Sequence, residues 1–584
     1  MEKNTNLNEL LDEALGLIKA KEYDKAIPVY EAILKLDDML PKALSHLAII
    51  YLMKERYLEA IDMIHKSFEV VEPVIGDYEN LAIAYRALKD YKNQVYVYEK
   101  IIQINTNDLE TYKLLGDAKI EIGDRIGAVD TFKKALDLGP AKFQQRYDYG
   151  LALYLVNSHE EALKHLRKAL EIDPNHIECM NKIAGSFSAI GNYKKAKSIY
   201  QKIKKLAPDA LAPHADYATC LFFEGKYDEP VKILKEVLLK KPNIHAVRLN
   251  LSMLYLTHKN FKEGWEHYEA RTLWRNDEGV GKRYEKLMEF FDLDVGKKKL
   301  NSNDNILILF ESGIGDVILA LSMLKDFHEN FKNISAEVDY RLVNICRRSF
   351  TDIKFYPVRE LPTGELIIKH DLSHFDKGIY WGSIGRYVRE NILDFPKQKK
   401  VYLNQDNTKN KEIQNKLKKD KEIICGISWK SNAVEGRHKS TKLKNLLPIL
   451  SIKGIKFLDL QYEKKNNVGQ TAIEKEELFK KNNIMIEEYE GIDKFEDIDG
   501  ILALISNCDI VVTSSNVTAH IAGALGKKTF LFLPLGRGKL WYWHEEGGKS
   551  LWYPSIKIFT ADSPGEWGEV FNEIANAIKQ DLIN

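Results

Sequence analysis

The sequence predicts an all-α helical repeat array followed by an α/β region of two doubly wound lobes. Three observations carry this. A multi-position pattern recurs with a 34-residue period from about Leu7 to Asn276. The stretch NILILFESGIGDVILALSML, Asn305 to Leu324, reads as buried strand, glycine turn and helix. A second set of buried-strand runs opens with IICGISW at Ile423 and includes TFLFL, Thr529 to Leu533.

In the array a small residue marks the second helix of each unit: Ala26, Ala60, Ala128, Ala162 and Ala196. Four residues later stands a bulky one: Tyr30, Ile64, Phe132, Leu166 and Tyr200. Prolines 140, 174, 208 and 242 keep the same spacing. On the first helix the small positions are Ala48, Ala82, Gly116, Gly150, Ala184 and Ala218. Small residues let paired helices approach, and each unit buries its face only against its neighbours. Gln94 and Pro230 stand where alanine is expected, and Lys119 where an aromatic or aliphatic residue is. Register assigns most of the tyrosines (Tyr85, Tyr96, Tyr98, Tyr147, Tyr149) to core packing. The last unit has Gly264 for alanine and adds Trp265, Tyr268 and Trp274, as an end sealed against a following domain requires. About eight units of this kind match the tetratricopeptide pattern. That resemblance implies a superhelix with a groove for a protein partner.

Residues 279–303 read as a charged connector, 304–420 as a first α/β lobe and 421–584 as a second, after repeats over 1–278. In the first lobe Gly313 and Gly315 precede Asp316 after a strand. Ligands of open α/β sheets sit at such strand ends, so Asp316 is either a helix N-cap or a catalytic carboxylate. Further strands are expected at 336–342 and 353–358, with loop and short helix over 370–391. In the second lobe strands are expected at KFLDLQ, 484–488 and 510–513. At the end of the last, Ser514, Ser515, Asn516, Val517 and Thr518 crowd a helix start, with His520 one turn on. Free N–H groups and hydroxyls there suit a diphosphate. Helix capping accounts for one of these side chains, and His520 taken alone reads as structural. The loop 430–442 carries Lys430, Arg437, His438, Lys439 and Lys442 beside the same cleft.

Composition narrows the choices. The 584 residues include 86 Lys and Arg against 85 Asp and Glu, a net charge of +1, with no basic stripe for nucleic acid. The five cysteines are scattered without metal-ligand spacing, which points to reduced thiols in a cytoplasm. No run approaches the roughly 20 apolar residues of a membrane span, so membrane contact is expected to be peripheral at most, at the inner face.

GIGDVILALSML resembles the opening motif of the family-nine glycosyltransferases, the lipopolysaccharide heptosyltransferases. CGISWKSN, RHKSTKL, KFLDLQYE, SSNVTAHIAGALGK and SLWYPSIKIF follow in the order of bacterial tetratricopeptide proteins carrying such a domain. The architecture is also similar to protein O-GlcNAc transferases. The resemblance implies a GT-B fold of two Rossmann-like lobes, the nucleotide sugar on the second and the acceptor approached from the first. It implies Asp316 as catalytic base and Lys439 as the residue steadying the donor phosphate. It also places Ser515 to His520 on the family's Asp-Thr-Ser-x-Ala-His stretch, from which Ser515, Asn516 and Val517 depart. The expected function is metal-independent transfer of a sugar from a nucleotide-sugar donor to a protein or glycan hydroxyl, with no resident cofactor and the repeats recruiting the acceptor. The alternative is a repeat scaffold whose transferase domain is degenerate. Gly313 to Asp316 and the basic loop favour the first; Ser515 and Asn516 favour the second.

Overall fold

The computed structural model describes residues 2–277, 300–311, 313–360, 366–367, 370–397, 400–417, 423–432, 436–463, 469–563 and 565–583. It divides into two compact units, Met1–Pro208 and Asp209–Asn584. Most of the connector read at 279–303 and the side chain of Trp274 lie outside the described residues.

The first unit is all helix. Among its described residues twelve helices, from Glu2–Lys19 to Tyr193–Leu206, pair as successive hairpins. The small-against-bulky rule is visible atom by atom. A Cβ added to Gly116 would lie 2.2 Å from the Phe132 ring, and one added to Gly150 would lie 2.7 Å from Leu166 Cγ. Gln94 is buried in its alanine register because its Nε2 donates to the Tyr85 carbonyl at 3.2 Å. Lys119 pairs with Glu99 at 3.0 Å instead of packing. Of the five tyrosines assigned mostly to core packing, Tyr85 and Tyr98 are buried, Tyr147 and Tyr149 are half-buried, and Tyr96 is exposed.

The second unit opens with the hairpins Leu211–Phe223 with Asp228–Lys240 and His245–Thr257 with Phe261–Tyr268, followed by helix Ala270–Asp277. The repeat pattern thus runs about 70 residues past the compactness boundary at Pro208. The reason is packing: Leu256, Phe261 and Trp265 are buried in the same apolar core as the α/β strands.

Two sheets follow. The first holds β1 (Ile306–Leu309), β2 (Ile334–Asp339), β3 (Lys354–Glu360), β4 (Leu366–Ile367) and β5 (Lys377–Tyr380) in the order β4-β3-β2-β1-β5. All its pairings are parallel except β3 with β4. The second holds β6 (Ile423–Ser428), β7 (Ile455–Asp459), β8 (Ile510–Ser514), β9 (Thr529–Leu533), β10 (Glu545–Glu546), β11 (Lys549–Ser550) and β12 (Ile556–Thr560). Their order is β10-β11-β12-β9-β8-β6-β7, parallel from β12 through β7. Strand order reverses between β1 and β5 in one sheet and between β6 and β8 in the other. Such switch points open a crevice at the carboxyl ends of the strands. Two expectations need correction. The stretch 370–380, read as loop, contains β5, which pairs with β1 along its whole length. The strand expected at 484–488 is a single bridge, Leu458 with Glu487.

The repeat packing makes a sharp prediction. In a helix interior Ala is favoured over Gly by about 1 kcal/mol. Overpacking against Phe132 costs about 1–3 kcal/mol. Gly116→Ala should therefore destabilise the first unit in urea titration despite the better helix former, and adding Phe132→Leu should restore it. A stabilised single variant would contradict the close approach.

Candidate functional site

The end of β1 is held by two carboxylates. The Phe310 N–H donates to Glu337 Oε2 at 3.0 Å, and the Gly382 N–H donates to Glu311 Oε1 at 2.7 Å. Glu311 also receives both arms of Arg271, Nε at 3.0 Å and Nη2 at 2.8 Å, in a buried pair. A charge-assisted bidentate pair fixes geometry as well as adding energy. It ties the last repeat helix to the turn that leads into Asp316.

Gly313 is the N-cap of helix Ile314–Asn330, with φ −65° and ψ 162°. Asp316 is therefore not the cap; it lies in the first turn, exposed, where an acidic side chain favours the helix dipole. Neither Gly313 nor Gly315 is in the left-handed region. Gly315 serves another need: a Cβ there would lie 2.8 Å from His520 Cδ2. Asp316 lines a small cavity with Glu311, Trp381, Trp541 and Tyr542. Burial, then the neighbouring Asp316 carboxyl, raise the Tyr542 phenol well above its usual value, so it stays protonated.

On the second sheet, β8 delivers Ser514 to Thr518 to the start of helix Val517–Ala524. Ser514, Ser515, Asn516 and Thr518 are all buried, and Val517 is half-buried. Asn516 caps that helix, its Oδ1 accepting from the Ala519 N–H at 3.4 Å and from Thr513 Oγ1 at 3.1 Å. Its Nδ2 donates to Ser428 Oγ at 2.8 Å, to the Lys430 carbonyl at 3.1 Å and to Ser514 Oγ at 3.3 Å. Asn516 thus ties together the ends of β6 and β8 at the switch point. Ser515 Oγ accepts from Trp543 Nε1 at 2.8 Å. Burial pushes the Tyr462 phenol, which lies near the Val517 backbone, up to about 12.

His520 Nδ1 shares a hydrogen bond of 2.7 Å with the Tyr553 hydroxyl, and Nε2 one of 3.4 Å with that of Tyr542. Burial, and the Lys439 ammonium nearby, push its pKa down to about 3, so the ring is neutral. Lys439 itself is buried at the end of the short helix Gly436–Lys439. It packs under Gly538, where φ is +95° and a Cβ would lie 3.2 Å from Lys439 Cγ. Lys430 behaves differently: its ammonium pairs with Glu474 at 2.7 Å, while its backbone is braced by Gln461, whose Oε1 accepts from the Lys430 N–H at 2.8 Å.

Gly315 and His520 are thus in contact, with Lys439 near the His520 ring and Asp316 one residue from Gly315. Ser514, Ser515 and Asn516 turn their side chains inward, and the Lys430 side chain turns to Glu474. Sequence reasoning missed Tyr462, Tyr542, Tyr553, Glu311 and Arg271. Strand-end position was the available signal for Tyr462 and Tyr542, which follow β7 and β9.

The buried histidines set an acid sensitivity. His544, at about 4 through burial, joins His520 as a neutral ring in the fold. Both pKa values are depressed below the unfolded value near 6.5, so their stabilising contribution is complete above that pH and is lost as pH falls toward the folded values. The expected slope is up to about 1.4 kcal/mol per pH unit for each ring. Calorimetry between pH 6.5 and 4.5 should show a shallower fall in Tm for His520→Gln than for the parent. Equal slopes would mean that His520 is not held neutral.

Family models for the tetratricopeptide repeat match residues 11–64, 113–177 and 153–219. The chain is similar to Protein FlbA of Caulobacter vibrioides, 25% identical over 446 residues that cover 73% of this chain and 71% of FlbA. It is also similar to Hsp70-Hsp90 organizing protein 3 of Arabidopsis thaliana, 22% identical over 38% of this chain and 41% of that protein. Human DnaJ homolog subfamily C member 3 is 25% identical over 34% of this chain and 42% of its own. The chain thus spans about two fifths of the length of these last two relatives. Among solved structures, the C-terminal part of a repeat-containing protein from Cytophaga hutchinsonii aligns over 41% of this chain and 98% of its own, with 19% identity and a TM-score of 0.33. The N-terminal part of this chain is an array of tetratricopeptide repeats, modules that bind protein partners.

Proposed function

We propose that the α/β region is a glycosyltransferase of GT-B type. In this reading a nucleotide-sugar donor lies at the β6/β8 switch point, and its sugar passes to a hydroxyl of a polypeptide recruited by the repeats. The observation that carries it is the meeting of the two switch-point helices, where Gly315 in the first turn after β1 abuts His520 in the helix after β8. In this reading Asp316, one residue from Gly315, and Lys439, near His520, act from the two sides of this contact. The FlbA match supports treating the two halves together, since its 446 residues exceed the length of the repeats.

Asp316 acts as general base, taking the proton of the attacking hydroxyl. The departing diphosphate gains charge, which the Lys439 ammonium and the N–H groups of Val517 and Thr518 stabilise, the arrangement of a metal-independent transferase. The second reading, a protein-binding scaffold with a degenerate transferase domain, is favoured by the inward-turned side chains of Ser515 and Asn516 and by the Lys430–Glu474 pair.

A thermal-shift panel of UDP-, GDP-, ADP- and CMP-sugars separates the two, because a ligand specific for the folded state raises Tm. With a donor in hand, Asp316→Asn should lower turnover by about 10²–10⁴-fold. Its donor affinity should match the parent, and its Tm should fall only slightly, since Gly313 caps the helix and Asp316 contributes only a first-turn charge. Near-normal turnover would remove Asp316 from the chemistry, and no response to any donor would favour the scaffold.

A further inference from the structure

A second cavity, of about 220 Å³, lies between the last repeats and the loop that follows β9. Its walls are Phe222 and Phe223 from helix Leu211–Phe223, Met253 and Thr257 from helix His245–Thr257, and Arg537 and Trp541 from the loop. Phe223 and Thr257 are one 34-residue period apart, so the cavity is built on equivalent faces of consecutive repeats. Phe222, Phe223, Met253 and Trp541 are only half-buried, leaving apolar surface open around it. A dry cavity of roughly 150 Å³ takes up benzene, so this one has room for an aromatic ring. Thr257 Oγ1 is buried and has no hydrogen-bond partner among the described residues. Two of the lining residues are basic: Arg537 lies 5.8 Å above the Phe223 ring, and Lys539 reaches Thr560 Oγ1 at 3.4 Å.

The loop connects this cavity to the cleft. Trp541 lines both it and the cavity that holds Asp316. Gly538, also in the wall, is the residue packed on His438 and Lys439.

We propose that this cavity is an anchor site for the polypeptide partner. It takes one aromatic or leucine-sized side chain, flanked by acidic residues that meet Arg537 and Lys539, with the Thr257 hydroxyl serving a polar group of the bound chain. Repeat helices are protein-binding surfaces, and an apolar anchor in a pocket with a charged rim is how such surfaces gain affinity. Resting on the transferase reading, the anchor places a nearby hydroxyl on the Asp316 side of Trp541.

The test uses the full-length protein and fluorescein-labelled, capped, serine-containing peptides of about twelve residues, read by anisotropy. They differ only at a central Phe, Leu or Ala and in flanking Asp or Lys. Peptides with Phe or Leu should bind about tenfold or more tightly than the Ala peptide. Asp-flanked peptides should bind better than Lys-flanked ones. Thr257→Trp, which fills the cavity, and Met253→Lys, which charges its wall, should each abolish the Phe-over-Ala preference. Donor-induced thermal shifts of both variants should match the parent. Equal binding of Phe and Ala peptides, or a preference surviving in both variants, would overturn the anchor site. So would self-association of the protein that Thr257→Trp abolishes, which would give the cavity to a second copy, or saturation by toluene without loss of peptide binding. An absence of any donor response would count against the transferase and leave the peptide result standing.

Discussion

The α/β region depends on how closely two helix starts approach. Gly315 and the His520 ring touch at a distance that no side chain on residue 315 could share. This contact sets the carboxyl end of β1 against that of β8. It also requires an uncharged imidazole, because a protonated ring there would be buried beside the Lys439 ammonium. Burial keeps the ring neutral, and the hydroxyls of Tyr553 and Tyr542 satisfy its two nitrogens. A neutral imidazole has one donor and one acceptor, so one tyrosine donates to it and the other accepts from it. Tyr542 in turn faces Asp316, which links the candidate base to the contact.

A second constraint joins the repeats to this site. Arg271 would be costly to bury alone, but Glu311 receives it bidentately, and Ser383 Oγ accepts from its Nη2 at 3.0 Å. Gly382 has no room for a side chain beside this pair. Trp265 Nε1 donates to the Arg389 carbonyl at 2.7 Å, and His544 Nε2 bonds the Leu256 carbonyl at 2.7 Å. The last repeat is therefore part of the wall of the cleft.

Much of this was legible in the sequence. β1, β6, β8 and β9 are continuous apolar runs, as strands buried on both faces must be. The period exposed the repeats because small and bulky residues alternate in register. β5 was hidden because KGIY carries Lys377 and Gly378 after a polar stretch, and its strand character comes from pairing with β1. Asn516 was read as a loss relative to Thr. In the structure the two hydrogens of its amide nitrogen are shared among three acceptors, which the single hydrogen of a hydroxyl could not serve. Lys430 looked like a donor ligand because its partner Glu474 is 44 residues away on a helix, Gln470–Asn482, that periodicity did not reveal. Asp316 looked like a cap because a following residue, Val317, opened the apolar helix pattern. The observed helix begins three residues earlier, at Ile314.

On the proposed reading, the two switch points bind one nucleotide sugar between them. Hydrogen–deuterium exchange on the full-length protein, with and without the nucleotide sugar giving the largest thermal shift, tests it most directly. Slowed exchange is expected at 436–442 and 514–520 on the second sheet and at 313–317 on the first, with the repeats of Met1–Pro208 unchanged. Protection confined to the repeats, or none at either helix start, would contradict it.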